Sequence, residues 1–153
     1  MKWAFFVTLL MGVVFAADER AKASAKDIEV AQRVAKAFLA HIDAGNERAA
    51  ASFSFDRDIH DSKSGRTRHY PAVSEGALKR DIDHLKSFGP IIDRVLERTE
   101  LQQEIGSSFP RGRYVRFLYS LRLRDKTARE YLTIKVDAPQ SGKVAHYSIP
   151  PYP

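Results

Sequence analysis

The second half of the chain alternates between apolar and polar residues with the two-residue period of β-strands. The odd positions from Val115 to Leu123 are all apolar, and the even positions from Leu132 to Val136 repeat the pattern in the next segment. Both segments predict strands with one buried face. A last strand is predicted over residues 144–149, and the less regular stretch 91–105 predicts a bulged one. Turns at residues 125–126 and 139–142 join these strands into an antiparallel meander.

The first half of the chain shows helical periodicity instead. Apolar residues recur every three to four positions from Val30 through Val34 and Phe38 to His41 or Ile42, and Gly45 then supplies a stop. This spacing predicts a long amphipathic helix. A short second helix is predicted over residues 47–52, and a third from residue 74 until the sequence Phe-Gly-Pro at 88–90. Residues 53–71 lose the helical period and predict an irregular stretch, with a short hairpin as the alternative.

Helices followed by consecutive strands define an expected fold class. We predict one α+β domain over residues 27–150, in which a long N-terminal helix and shorter helices pack on a curved antiparallel four-stranded meander sheet. Residues 17–26 are small and charged and predict a flexible lead-in, and residues 151–153 predict a non-helical tail.

The N-terminus has the pattern of a secretory signal peptide. Lys2 precedes an apolar run from Trp3 to Ala16, followed by the charged residues 18–20. The run is shorter than the roughly 20 residues that a membrane-spanning helix needs. Small residues place the cleavage after Ala16 or Ala17. We therefore expect residues 1–16 to be removed and the mature protein to be periplasmic or secreted, although a buried N-terminal helix would also be apolar.

Composition narrows the possible chemistry. The sequence has no cysteine, which excludes disulfides, thiolate metal sites and cysteine nucleophiles. Lys and Arg exceed Asp and Glu by six in the whole chain. The charges are interspersed, and an exported protein does not meet nucleic acid, so no nucleic-acid partner is expected. The mature chain is not expected to span a membrane.

Four stretches resemble a family of exported bacterial proteins, the domain of unknown function 4019. They are residues 38–45, Gly89 with Arg94, residues 109–115, and Glu130 with residues 144–149. The resemblance implies a nuclear-transport-factor-like or cystatin-like superfold. It implies no established activity, although enzymes of this superfold that resemble ketosteroid isomerase use a pocket carboxylate for proton transfer.

Glu130 is the most promising candidate for such a carboxylate. It falls among the even positions of its strand, which face the predicted core, and a buried acid needs a partner or a raised pKa. His41 and Tyr147 are the side chains that we expect to line the same pocket. The alternative is a structural Glu130 paired with an arginine such as Arg94. His41 and Asp43 cannot form a dyad, because two helical steps turn them to opposite sides.

The opposite face of the sheet is predicted to be basic. Its members are Arg116, Arg122, Arg124, Arg129 and Lys135. Arginines beside tyrosines can bind phosphates or an anionic polymer. They also keep the solvent face of an ordinary sheet soluble.

Two further clusters carry weaker signals. Asp56, Asp58, His60 and Asp61 match no known ligand spacing and are expected to be turn residues, so no metal or other cofactor is predicted. Asp81 and His84 lie one helical turn apart and are expected to form at most a surface ion pair.

Taken together, these features favour a non-catalytic exported domain that binds a small ligand or an envelope protein. A small isomerase, dehydratase or hydrolase with a pocket carboxylate is one alternative. Binding of an anionic envelope polymer through the basic face is the other. The sequence leaves the ligand, the partner and the oligomeric state open.

Overall fold

A computed structural model of the chain describes the backbone of residues 4–124 and 126–150, and side chains from residue 24 onward within those ranges. The predicted tail at residues 151–153, residue 125 of a predicted turn and residues 1–3 of the predicted signal peptide lie outside the described residues. The helices and strands of the described chain are α1 (Ala4–Asp43), α2 (Glu47–Ala51), β1 (Asp56–Asp61), β2 (Arg66–Pro71), α3 (Glu75–Lys86), β3 (Ile91–Gln102), β4 (Tyr114–Leu123), β5 (Thr127–Lys135) and β6 (Lys143–Ser148).

The main sheet is four-stranded and antiparallel, with the sequential order β3-β4-β5-β6. The predicted α+β class and the predicted four-stranded sheet are therefore confirmed. Phe117 pairs with Leu132, and Leu132 pairs with Tyr147, so these three side chains share one face. The register of β3 shifts twice, between residues 91 and 93 and between residues 96 and 98, which matches the predicted bulge.

The core lies between one face of this sheet and the helices. α1 contributes Phe38 and Ile42, α3 contributes Leu78, Ile82 and Leu85, and the strands contribute buried residues such as those named above. The Phe38 and Tyr147 rings meet edge to face, with centroids 5.2 Å apart. Removing these apolar surfaces from water is the main force that holds the layers together.

Helix α1 is longer than the sequence pattern predicts. Its backbone is helical through residues 17–26, where we predicted a flexible lead-in, and the alanine, glutamate and lysine residues there favour helix. Among its described side chains, Ala31 and Ala35 are buried, whereas the predicted positions Val30 and Val34 are half-buried. At its end, the amide of Gly45 donates to the carbonyl of residue 42, and the next amide donates to that of residue 41. This hydrogen-bond pair terminates the helix.

The second, smaller sheet is the hairpin of β1 and β2. It occupies the stretch for which the sequence predicted an irregular segment or a hairpin, and Gly65 adopts a positive φ of 66° in its turn. Most of its residues are exposed. Among the described residues, the helices lack the combination of length and apolar character needed to cross a bilayer.

The face of the main sheet that points away from α1 is also partly covered. Phe55 packs there with Tyr114 and Ala145, and Phe109 from the segment between β3 and β4 packs against them. This second apolar cluster is small, and it covers only the end of the sheet near the start of β4.

Candidate functional site

Glu130 of β5 is completely buried and fully hydrogen-bonded. Its carboxylate accepts hydrogen bonds from the Tyr147 hydroxyl at 2.8 Å, from Arg94 Nε at 2.8 Å and from Arg94 Nη2 at 3.3 Å. Glu130 and Tyr147 point to the same face because Tyr147 pairs with Leu132, which lies two residues from Glu130 on β5. Arg94 reaches them from β3, across β4.

Arg94 connects this carboxylate to a second one at the surface. Its Nη1 and Nη2 donate to the two carboxylate oxygens of Asp43, at 2.7 and 2.8 Å. Asp43 is the last residue of α1. We call these four residues, Asp43, Arg94, Glu130 and Tyr147, the Arg94 network. It ties the end of α1 to three strands of the sheet, with one arginine shared between two carboxylates.

Electrostatics in the network follow from burial. Burial raises the pKa of Glu130, against the opposing effects of the Arg94 charge and the Tyr147 hydrogen bond. Burial and the Glu130 charge raise the pKa of Tyr147 well above its usual value. The same two causes raise the pKa of nearby Tyr119 to about 12. Both phenols therefore stay protonated at neutral pH, and Tyr147 acts as a hydrogen-bond donor.

A cleft of about 750 Å³ adjoins the exposed side of the network. It lies between the end of α1, helix α3 and the start of β3. The apolar part of the wall includes Ile82, Leu85 and Ile92. Asp43 and Arg94 also line the cleft, with Lys86 and Asp93 nearby. Glu130 and Tyr147 are not part of its wall, because Arg94 stands between them and the cleft.

The three predicted pocket residues do not all converge. Glu130 and Tyr147 are hydrogen-bonded, but half-buried His41 packs against Phe53 with ring centroids 5.7 Å apart. The predicted alternative, in which Glu130 pairs with Arg94, is present in the structure. Sequence reasoning missed Asp43, which we considered only as a partner of His41. An acid at a helix end, close to a stop glycine, was the available signal.

The predicted basic face is less uniform than its sequence suggests. Arg122, Arg124 and Arg129 are exposed, and Arg122 lies 3.8 Å from the Asp93 carboxylate. Arg116 is half-buried and donates to the Thr133 hydroxyl at 3.4 Å. On this face, Arg116 and Arg122 therefore have polar partners, and Arg124 and Arg129 extend into solvent.

Lys135 corrects this prediction, because it is fully buried rather than exposed. Its ammonium binds the Asp137 carboxylate and donates to the backbone carbonyl oxygens of Asp137 and Ala138, at 2.9 and 3.3 Å. The Tyr114 ring lies beside it, with the centroid 5.9 Å from Nζ. Strand alternation placed Lys135 on the correct face but did not reveal that other residues cover that end of the face.

The acidic residues of the hairpin are separately engaged. Asp58 contacts His69 at 2.5 Å, His60 contacts Thr67 at 3.3 Å, and Asp61 accepts from the amide of Lys63. Within the described part of the chain, no three His, Asp or Glu side chains come together in a way that would hold a metal ion.

Asp81 and His84, the remaining candidate pair on α3, lie in different environments. Burial raises the pKa of Asp81, with the charges of Arg80 and His84 acting against it. The His84 ring packs edge to face on Phe88, with centroids 5.0 Å apart. Neither side chain joins the Arg94 network.

Comparisons with protein-family models, with curated proteins and with solved structures found no significant match to this chain.

Proposed function

We propose that this protein is an exported, non-catalytic domain that binds a small ligand in the cleft between α1, α3 and β3. The proposal rests on one observation: an open cleft lies beside the Arg94 network, whose side chains already hydrogen-bond to one another. The network holds Asp43 and Arg94 in place in the cleft wall. Its two carboxylates, its guanidinium and its phenol are hydrogen-bonded to one another. A binding site needs a preformed cavity with a few placed polar groups, which the cleft supplies.

The same observation weighs against the pocket enzyme. A general acid or base must come within hydrogen-bond reach of its substrate. Glu130 has the raised pKa that such a residue needs, but it has no exposed surface, and Arg94 separates it from the cleft. Catalysis by Glu130 would require the breaking of its bonds to Arg94 in every cycle.

The walls of the cleft define the class of ligand. Ile92 presents exposed apolar surface, with Ile82 and Leu85 beside it, and Lys86 adds a positive charge, while the Asp93 carboxylate lies 3.8 Å from Arg122. Such a site suits a compact, largely apolar molecule that carries a polar or acidic group. A short segment of an envelope protein with an apolar side chain meets the same requirements.

Export and ancestry are part of the proposal. The apolar run after Lys2 supports cleavage of a signal peptide and a periplasmic or secreted location. The order of a long helix followed by an antiparallel meander supports a cystatin-like or nuclear-transport-factor-like superfold and the resemblance to the domain of unknown function 4019. Fractionation of the source cells with N-terminal sequencing tests the export, and the mature protein should begin at Ala17 or Asp18.

Native mass spectrometry of the protein purified from its own cells tests the cleft directly. Ile92 and Val95 are matched probes, since both are apolar residues of β3, 55% and 52% exposed, and only Ile92 lines the cleft. We expect the wild type and Val95→Ser to retain one small ligand and Ile92→Ser to lose it. Equal retention by all three proteins, or no ligand on any of them, contradicts binding in the cleft.

A further inference from the structure

Three basic side chains lie near one another on the face of the main sheet that points away from α1. Arg116, Thr133 and His146 are direct neighbours on β4, β5 and β6, so their side chains form a row across the sheet. Arg57 of β1 approaches the same row. After burial of the imidazole, the positive charges of Arg116 and Arg57 are what lower the pKa of His146. We call Arg57, Arg116 and His146 the basic cluster.

Two nitrogen atoms of the cluster are buried and have no hydrogen-bond partner among the described residues. They are Arg57 Nε and His146 Nδ1. Buried polar atoms in folded proteins are nearly always paired, so two orphans in one cluster require an explanation. Arg57 otherwise lies over the Phe109 ring, 5.0 Å from its centroid, and reaches the Ser108 hydroxyl at 3.4 Å. Neither neighbour offsets its charge.

The cluster also lacks an acidic partner. Glu100 is the acidic residue that pairs with Arg116 in the register of β3 and β4. Its oxygens are taken by Arg98 at 3.2 Å and by the Gln102 amide at 3.4 Å. Within the described residues, none of the three basic side chains forms an ion pair. In contrast, Arg122 on the same strand and face lies 3.8 Å from Asp93.

We infer that the basic cluster binds an oxyanion, either phosphate or the carboxylate of a small acid. The three side chains are half-buried, so the cluster is partly desolvated without being sealed from solvent. Arginine fits oxyanions because its planar guanidinium presents paired donors, and partial burial strengthens such hydrogen bonds. A bound anion would also balance the charge that surrounds the two orphan nitrogens. The site is independent of the cleft, which opens on the other face of the sheet.

The test is an NMR titration of the full-length protein with inorganic phosphate, and separately with acetate, at constant ionic strength set with sodium chloride. The imidazole signals of His146, assigned from a His146→Gln variant, should shift and saturate. His60 and His69 on the exposed hairpin should not saturate in the same range. Saturation with phosphate alone assigns a phosphate site, and saturation with both anions assigns a general carboxylate and phosphate site.

Arg116→Gln and Arg122→Gln are the matched variants, because both positions lie on the same face of β4. We expect Arg116→Gln to weaken phosphate binding at least tenfold and Arg122→Gln to leave it within twofold. Arg57→Gln should also weaken phosphate binding. Because Arg57 lies outside the main sheet, this variant serves as a second test if Arg116→Gln does not fold. An unsaturable His146 shift, or an equal loss in Arg116→Gln and Arg122→Gln, overturns the inference. Ile92→Ser should bind phosphate as the wild type does, so failure of the cleft proposal would be seen separately.

Discussion

Replacing Arg94 by methionine tests whether the Arg94 network holds the fold together. In the wild type, Glu130 is completely buried and receives two of its three hydrogen bonds from Arg94. The variant keeps the apolar stem of the side chain and removes the charge, so Glu130 retains only the Tyr147 hydroxyl. Its carboxylate then lacks a counter-charge in a position that water does not reach.

The expected loss is large. Removing one partner of a buried ion pair costs about 3–5 kcal/mol, because the other charge is left uncompensated. Asp43 adds little to this figure, since its side chain is 48% exposed and an ion pair at such a site contributes at most about 1 kcal/mol. A domain of this size is stable by about 5–15 kcal/mol, so Arg94→Met should remove a substantial fraction.

Urea unfolding followed by far-ultraviolet circular dichroism at pH 7 measures this loss. The double variant Arg94→Met/Glu130→Gln is the control, because it removes both charges and keeps an acceptor for the Tyr147 hydroxyl. It should regain about half of the loss, as expected when no uncompensated charge stays buried. A loss below about 1 kcal/mol in Arg94→Met, or a double variant no more stable than the single one, would show that the buried ion pair does not stabilise the fold.

Four further predictions concern stability. The raised pKa of Glu130 means that its contribution to stability is complete below its ordinary value of 4.5 and is lost as the pH rises through the folded-state value. The free energy of unfolding of the wild type should therefore fall over that range relative to Glu130→Gln, and parallel pH profiles would contradict the shift. Gly112→Ala should destabilise by about 1–3 kcal/mol, because a Cβ there would lie 2.6 Å from an Asp137 oxygen on a backbone with φ of 155°. Gly76→Ala in α3, with nothing within 4 Å, should instead stabilise by about 0.5–1 kcal/mol, and the reverse order of the two melting temperatures would refute both. Ser74→Ala should cost about 1 kcal/mol, because the hydroxyl that caps α3 at the third amide, 3.2 Å away, is lost; unchanged urea unfolding would contradict this role.

Local patterns were sufficient to predict the strands and their order. The alternation from Val115 to Leu123 specifies both a strand and its buried face, and the connections from β4 to β5 and from β5 to β6 are short enough to favour antiparallel neighbours. The pairing of Glu130 with Arg94 was also within reach, because a buried acid needs a basic partner. The hairpin was harder, since residues 56–71 are polar on both faces and lack a periodic signal.

What escaped prediction depends on contacts between distant parts of the chain. Asp43 shares Arg94 with Glu130 only because the end of α1 lies close to β3. No local pattern in the sequence specifies that placement. Lys135 is buried because Tyr114 and the segment before it cover one end of the second sheet face. The basic cluster likewise needs Arg57 from the hairpin beside His146 from the last strand, 89 positions apart along the chain. Periodicity assigns a residue to a face, but it does not say which residues cover that face.

If the Arg94 network seals Glu130 from solvent, the adjacent cleft is the surface that we propose as functional. Carboxyl footprinting with a water-soluble carbodiimide and glycine ethyl ester, read by peptide mass spectrometry, measures whether Glu130 is sealed. In the folded protein, Asp43 and Asp93, which are 48% and 51% exposed, should be modified while Glu130 stays unmodified until the protein unfolds in urea. Modification of Glu130 in the native protein at a rate comparable to that of Asp43 would contradict the account.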